Sequence, residues 1–111
     1  MAEIFRHVAL QKYKAPVDDV TAKRIKEVHD DLGAQAPTVR AISHGPDLGV
    51  RPNGYDYGLV ADFDDAEGWK AYSAHPAHDV VRSVMKDIVE SAVVCQFTVT
   101  VPDVDESGRG A

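Results

Sequence analysis

The chain is 111 residues long, 27% charged and 44% hydrophobic, the composition of one ordinary globular domain with a single modest core. Its formal net charge of -6 excludes the basic face that nucleic acid or an anionic membrane would need, so neither partner is expected. The lone Cys95 can form no internal disulfide, charge in the opening Met-Ala-Glu-Ile-Phe-Arg precedes any apolar leader run, and no apolar segment approaches a membrane span; a cytoplasmic protein is predicted.

Residues 4–13 read as a first strand, with Phe5, His7, Ala9, Gln11 and Tyr13 on one face and Ile4, Val8 and Leu10 on the other. Apolar residues on both faces predict a strand covered on both sides, by helices of the same domain and by a second subunit. Pro16 to Leu32 reads as a helix with Val17, Val20, Ile25, Val28 and Leu32 near one face, Asp18 and Asp19 in its first turn, and Gly33 as its stop. His29, among Lys26, Glu27, Asp30 and Asp31, is expected to be a solvated surface histidine.

Thr38 to Ser43 is expected to be a short strand with Val39, Ala41 and Ser43 on one face, followed by turn chemistry in His44-Gly45-Pro46-Asp47-Leu48-Gly49 and a loop to Gly54. The sequence leaves open whether His44 faces a pocket or water. Tyr55 to Phe63 alternates cleanly as a strand, and Asp64-Asp65 offers a cap to a helix over 66–74 carrying Trp69 and Tyr72. A second helix is expected over 77–90, with Val81, Val84, Met85, Ile88 and Val89 apolar. Residues 91–101 form a last strand, in which Cys95 reads as a small buried hydrophobe. The acidic, Gly-containing stretch 102–111 is expected to be a flexible tail.

Strand, helix, strand, strand, helix pair, strand is the split βαβ order of an α+β, ferredoxin-like fold: a four-stranded antiparallel sheet with helices on one face, spanning residues 1–101. Valines on both faces of the outer strands point to self-association, and two sheets packed face to face would give a dimeric α+β barrel.

The most informative stretch is Tyr72-Ser73-Ala74-His75-Pro76-Ala77-His78. Pro76 cannot continue one helix but suits the first turn of the next, so the chain breaks there. His78 then falls in a first turn, where the positive helix end disfavours imidazolium and keeps a potential base neutral. Two readings stand for each residue. His78 is a general base or a helix-start histidine satisfied by backbone; Tyr72 is a hydrogen-bonding electrophile or an aromatic core residue. His75 reads as the residue that fixes the turn before Pro76. His7 lines a pocket or is a buried histidine bonded to a neighbouring strand. Tyr55 and Tyr57 line a cavity or pack the barrel. Metal binding by His75 and His78 is not expected, because the helix break lies between them.

With Phe5-Arg6-His7-Val8-Ala9-Leu10-Gln11-Lys12-Tyr13-Lys14, Ser43-His44-Gly45-Pro46 and Gly54-Tyr55-Asp56-Tyr57-Gly58, this stretch resembles the stress-responsive dimeric A/B barrel (Dabb) family over residues 4–101. The resemblance implies a ferredoxin-like barrel closed by homodimerisation. Many members of that family are known only as stress-associated; one plant member is a polyketide cyclase that closes a linear chain by an intramolecular aldol condensation. Its catalytic tyrosine and histidine match Tyr72 and His78, and its first-strand histidine matches His7. The chain departs from it at Tyr57, where that cyclase has histidine, at Val81, where it has phenylalanine, and at Ala9 and Gln11, which are less bulky and more polar. The resemblance therefore implies a catalytic pair, Tyr72 and His78, with a small-molecule pocket of His7, Ala9, Gln11, Tyr57, His75 and Val81 and no organic cofactor. Some relatives hold magnesium on backbone carbonyls, which here would be those of Gly33, Ala36 and Val39. The expected functions are a cofactor-independent cyclase or isomerase, or a non-catalytic stress-responsive barrel that binds a small ligand.

Overall fold

The fold is built on β1 (Ala2–Tyr13), which lies inside the sheet and pairs antiparallel along almost its whole length with β3 (Tyr57–Phe63) and β4 (Val89–Val101). A computed structural model describes residues 2–101. The edge strand β2 (Ala41–Pro46) completes a four-stranded sheet in the order β2-β3-β1-β4, and α1 (Asp19–Gln35), α2 (Ala66–Ala74) and α3 (Pro76–Met85) lie on one face. The α+β, ferredoxin-like architecture expected from the element order is therefore present. The expected tail, 102–111, lies outside the described residues.

Alternation decides which side of the sheet each residue serves. Tyr57, Leu59, Ala61 and Phe63 point toward the helices and are buried, with Phe5 and Ala9 of β1 packed against them. Ile25, Val28 and Leu32 of α1 and Tyr72, Ala77, Val81 and Met85 of α2 and α3 close that core. The opposite face carries Leu10, Val60, Val93 and Phe97, each between about a third and a half exposed (37–48%). Cys95 belongs to this face and is exposed, not buried as expected. Arg6 and Asp62 bridge β1 and β3 there through two bonds, Nε to Oδ1 at 2.7 Å and Nη2 to Oδ2 at 2.8 Å.

Several boundaries differ from the sequence reading: β1 starts at Ala2 rather than Ile4, β3 at Tyr57 rather than Tyr55 and β4 at Val89 rather than Ser91, and the larger differences have identifiable causes. Helix α1 starts later, because the Asp18 side chain accepts the Thr21 N–H as an N-cap, and Val20 is 80% exposed. Gly33 does not stop α1. It sits inside the last turn, where a Cβ would lie 2.6 Å from Ile42 Cγ2, so its smallness lets α1 approach β2. Strand β2 is shifted to Ala41–Pro46, with Ile42 and His44 inward, and pairs His44, Gly45 and Pro46 with Leu59, Gly58 and Tyr57. An edge strand tolerates Pro46 at its end, so the apparent turn residues belong to the ladder. Helix α3 ends at Met85, because the Lys14 N–H donates to the Ile88 carbonyl at 2.9 Å and Val89 joins β4 opposite Tyr13. Ile88 and Val89 still reach the core, from a turn and a strand.

Candidate functional site

The break between α2 and α3 places the first functional side chains. His75 ends α2 and caps α3: its Nδ1 accepts the Ala77 N–H at 3.0 Å, and its carbonyl accepts the His78 N–H at 2.9 Å. Pro76 occupies the first helical position, where its missing N–H costs nothing. The Tyr72 and His78 rings consequently meet edge to face, with centroids 5.1 Å apart.

They line a cavity of about 260 Å³ between the helices and the sheet. Strand β1 supplies His7, Ala9 and Gln11 to its floor, and β4 adds Ala92 and Val94. Helices α2 and α3 supply Trp69, Tyr72, Ser73, His78, Val81, Arg82 and Met85, and α1 supplies His29. Of the residues expected to form a pocket, His7, Ala9, Gln11 and Val81 thus lie with Tyr72 and His78. His75 does not line the cavity, its ring being used as the cap. Nor does Tyr57, whose hydroxyl lies 2.6 Å from His44 Nδ1. A larger hollow of about 670 Å³ lies beside Leu10, Gly58 and the 47–55 loop, and no histidine lines it.

The electrostatics keep the cavity's histidines and its phenol neutral. Burial, with Arg82 and His29 adding to it, lowers the His78 pKa from 6.5 to about 4. Burial also lowers that of His7. His29 is lowered chiefly by burial and further by His44, against the opposing pull of the Ile25 carbonyl and Asp30. The Tyr72 hydroxyl is pushed up to about 12 by burial, against the influence of Arg82. Arg82 itself is tethered by Asp79 Oδ1 at 2.8 Å and by the Ser73 carbonyl at 2.7 Å. A neutral imidazole, a phenol donor and a fixed guanidinium form a set that can accept a proton, donate a hydrogen bond to an oxygen and favour a developing anion.

Two buried side-chain atoms here have no hydrogen-bond partner among the described residues: His78 Nδ1 and Gln11 Oε1. His7 is different. Its Nδ1 accepts from Gln96 Nε2 at 3.0 Å, so its neutral form carries hydrogen on Nε2, and its ring lies tilted against Trp69 with centroids 5.8 Å apart.

Of the titratable residues lining this site, the sequence reading missed two, His29 and Arg82. His29, expected in solvent, is 2% exposed. Its spacing from Ile25 and Leu32, four residues after the one and three before the other, was the available signal, masked by its charged neighbours in the sequence. Arg82 stands four residues after His78 and so shares its helix face.

For the magnesium implied by the resemblance, the Gly33 carbonyl lies beyond the last intrahelical bond, Ala36 N–H to Leu32 carbonyl, while the Ala36 carbonyl accepts the Val39 N–H at 3.3 Å. One of the three carbonyls is thus already engaged, and among the described residues no three His, Cys, Asp or Glu side chains gather to hold a metal. The fit is incomplete.

A four-stranded antiparallel sheet with three helices on one face, and a histidine-lined cavity between them, defines a ferredoxin-like α+β protein. The model of the stress-responsive A/B barrel (Dabb) domain matches residues 5–99, and the chain belongs to that family. It is similar to a stress-response A/B barrel domain-containing protein of Arabidopsis thaliana, 22% identical over 98 residues and covering 86% of each chain. Among solved structures, a dimeric ferredoxin-like protein of unknown function from Thermobifida fusca superposes with a TM-score of 0.80 at 28% identity, over 88% of this chain and 92% of that one. The hydroxynitrile lyase of Passiflora edulis superposes at 0.76 with 20% identity, over 90% and 96%, a likeness of fold. No helix of the described residues is long and apolar enough to cross a membrane.

Proposed function

We propose that the histidine cavity is the active site of an enzyme that moves a proton beside a carbonyl of a small polyketide-like substrate, without an organic cofactor. The observation that carries this reading is the pair of orphaned buried atoms, His78 Nδ1 and Gln11 Oε1, on residues that line one cavity. An unmet buried polar atom costs about 1–3 kcal/mol, and proteins retain few of them. A ligand that donates a hydroxyl to Gln11 Oε1 and an acidic hydrogen to His78 Nδ1 would satisfy both.

His78, neutral at pH 7, takes the proton from the carbon next to the carbonyl, while the Tyr72 hydroxyl donates to the carbonyl oxygen. The enolate forms in the field of Arg82. In a cyclase it attacks a second carbonyl of the same chain, a carbon–carbon bond closes, and His78 returns its proton to the new alkoxide. In an isomerase the proton returns to a different carbon. Ala9, Gln11 and Val81 leave room for compact, polar substrates.

The protomer is proposed to work as a homodimer. Its open sheet face carries Leu10, Val60, Val93 and Phe97, and a second copy is the partner that would cover them. The Thermobifida fusca neighbour, described as dimeric, supports this.

Two measurements test the reading: thermal shift against a panel of aromatic and polyketide-like acids, and loss of α-proton signals of small aryl ketones in deuterated buffer. Wild type should be stabilised by a ligand and should accelerate exchange. His78→Ala should lose both while remaining folded, and Tyr72→Phe should slow exchange. Binding without any exchange would instead favour a non-catalytic, ligand-binding barrel.

A further inference from the structure

His29 is the one cavity-lining histidine that lies on α1, and it is held from two sides. Its Nδ1 lies 2.7 Å from the Ile25 carbonyl one turn back, and a carbonyl can only accept, so the hydrogen of the neutral ring is on Nδ1. Nε2 is then the lone-pair nitrogen and the ring atom left for a ligand. Against the ring lie His44 and Tyr57, with centroids 5.3 Å from it in each case. These two are themselves fixed. The Tyr57 hydroxyl lies 2.6 Å from His44 Nδ1, and His44 Nε2 lies 2.8 Å from Asp30 Oδ1. The carboxylate accepts from Nε2–H, so in a neutral His44 Nδ1 accepts from the tyrosine hydroxyl. Tyrosine, histidine and aspartate thus form one directed array across β3, β2 and α1, a costly arrangement for a residue with only packing to do.

We propose that His29 is a second proton acceptor of the cavity, its Nε2 presented to the bound molecule by the Ile25 carbonyl and by the Asp30–His44–Tyr57 array packed on its ring. This rests on the cavity being the proton-transfer site. With His78 it gives the cavity two acceptors, one on α1 and one on α3, and His7 adds an Nε2–H donor from β1. That pattern suits a substrate with an acidic carbon between two carbonyls, a 1,3-dicarbonyl compound, where one histidine takes the carbon-bound proton and the other accepts the hydrogen bond of the enol hydroxyl. Tyr57, His44 and Asp30 are positioning residues: Tyr57 and His44 pack on His29 and Asp30 holds His44, and none of them touches the substrate.

The test uses the full chain with ¹⁵N-labelled histidine and a cyclic 1,3-diketone as the probe. In the free protein His29 should show the Nδ1–H tautomer. On addition of the probe, His29 Nε2 and His78 Nδ1 should both shift toward the hydrogen-bonded or protonated position. A response at His78 with none at His29 overturns this proposal and leaves the proposed function standing; silence at both histidines removes both. Exchange kinetics add a second readout. His29→Gln should lower the rate of α-proton exchange by about a hundredfold. Tyr57→Phe, which keeps the ring but frees His44 Nδ1, should lower the rate with KM unchanged and shift its pH profile. A Tyr57→Phe protein with wild-type rate and profile refutes the positioning role, even if His29→Gln fails to fold.

Discussion

The backbone N–H of His78 donates to the carbonyl of His75 at 2.9 Å, and the His75 ring accepts the Ala77 N–H at 3.0 Å. The residue that joins α2 to α3 therefore sets where His78 stands against Tyr72. His75→Ala should cost about 1 kcal/mol, the usual loss of a helix cap, and should slow α-proton exchange by loosening the first turn of α3. His75→Asn retains a capping acceptor and should recover most of the stability in urea melts. Equal losses in the two variants would show that the ring matters for something other than the cap.

Gly33 faces Ile42 across α1 and β2, where a Cβ would meet Cγ2 at 2.6 Å. Gly33→Ala gains roughly 1 kcal/mol of helix propensity but overpacks the contact, at about 1–3 kcal/mol. A net loss of stability is expected. Adding Ile42→Ala removes the clashing methyl, so the double variant should lose less than the sum of the two single losses. Strict additivity in denaturant melts would show that α1 and β2 do not meet in this way.

Stability should fall toward acid earlier than carboxylates alone would cause. His78, His7 and His29 bind protons less readily folded than unfolded. Their contribution is whole above the ordinary value of 6.5 and is lost as pH falls through it toward about 4, where folded His78 titrates. His78→Gln should show a smaller loss between pH 7 and pH 5, read by urea melts at the two values. On the alkaline side Tyr13, Tyr57 and Tyr72, raised from 10.0 to about 12, contribute stability below 10 that is lost above it. Proton exchange by His78 should stay level from pH 8 to 5 and fall near 4; a midpoint near 6.5 would place the base in water.

The open sheet face makes a prediction about assembly. Phe97→Glu or Leu10→Glu should convert the proposed dimer to monomer in light scattering, since a buried glutamate there would lack a partner. Asp62→Ala should also weaken it, because Arg6 would lose both of its bonds on that face. Monomeric wild-type protein at micromolar concentration would contradict the proposed dimer.

Much of the fold was legible because it is written in short periods. Alternation in residues 57–63 and the capped segment 66–74 are local patterns, and the helix break at Pro76 follows from one residue's geometry. The ends of α1, β2 and α3 were not legible. Each is settled by a partner distant in the chain: Ile42 beside Gly33, Leu59 opposite His44, and Lys14 bonded to Ile88. The candidate site divides the same way. Tyr72 and His78 announce themselves through a motif, whereas His29 looks like a member of a charged surface run and Arg82 like a single charge on an amphipathic helix.

By itself, the amino-acid sequence determined the element order, the inward face of β3 and the helix break at Pro76, because periodicity and backbone restriction act within a few residues. Only the tertiary structure decided that His29 is buried, that His75 is a cap while Gln11 and His78 hold unmet buried atoms, and that Cys95 faces outward. Burial and hydrogen-bond satisfaction depend on what other elements bring alongside, and no window of the sequence contains that information.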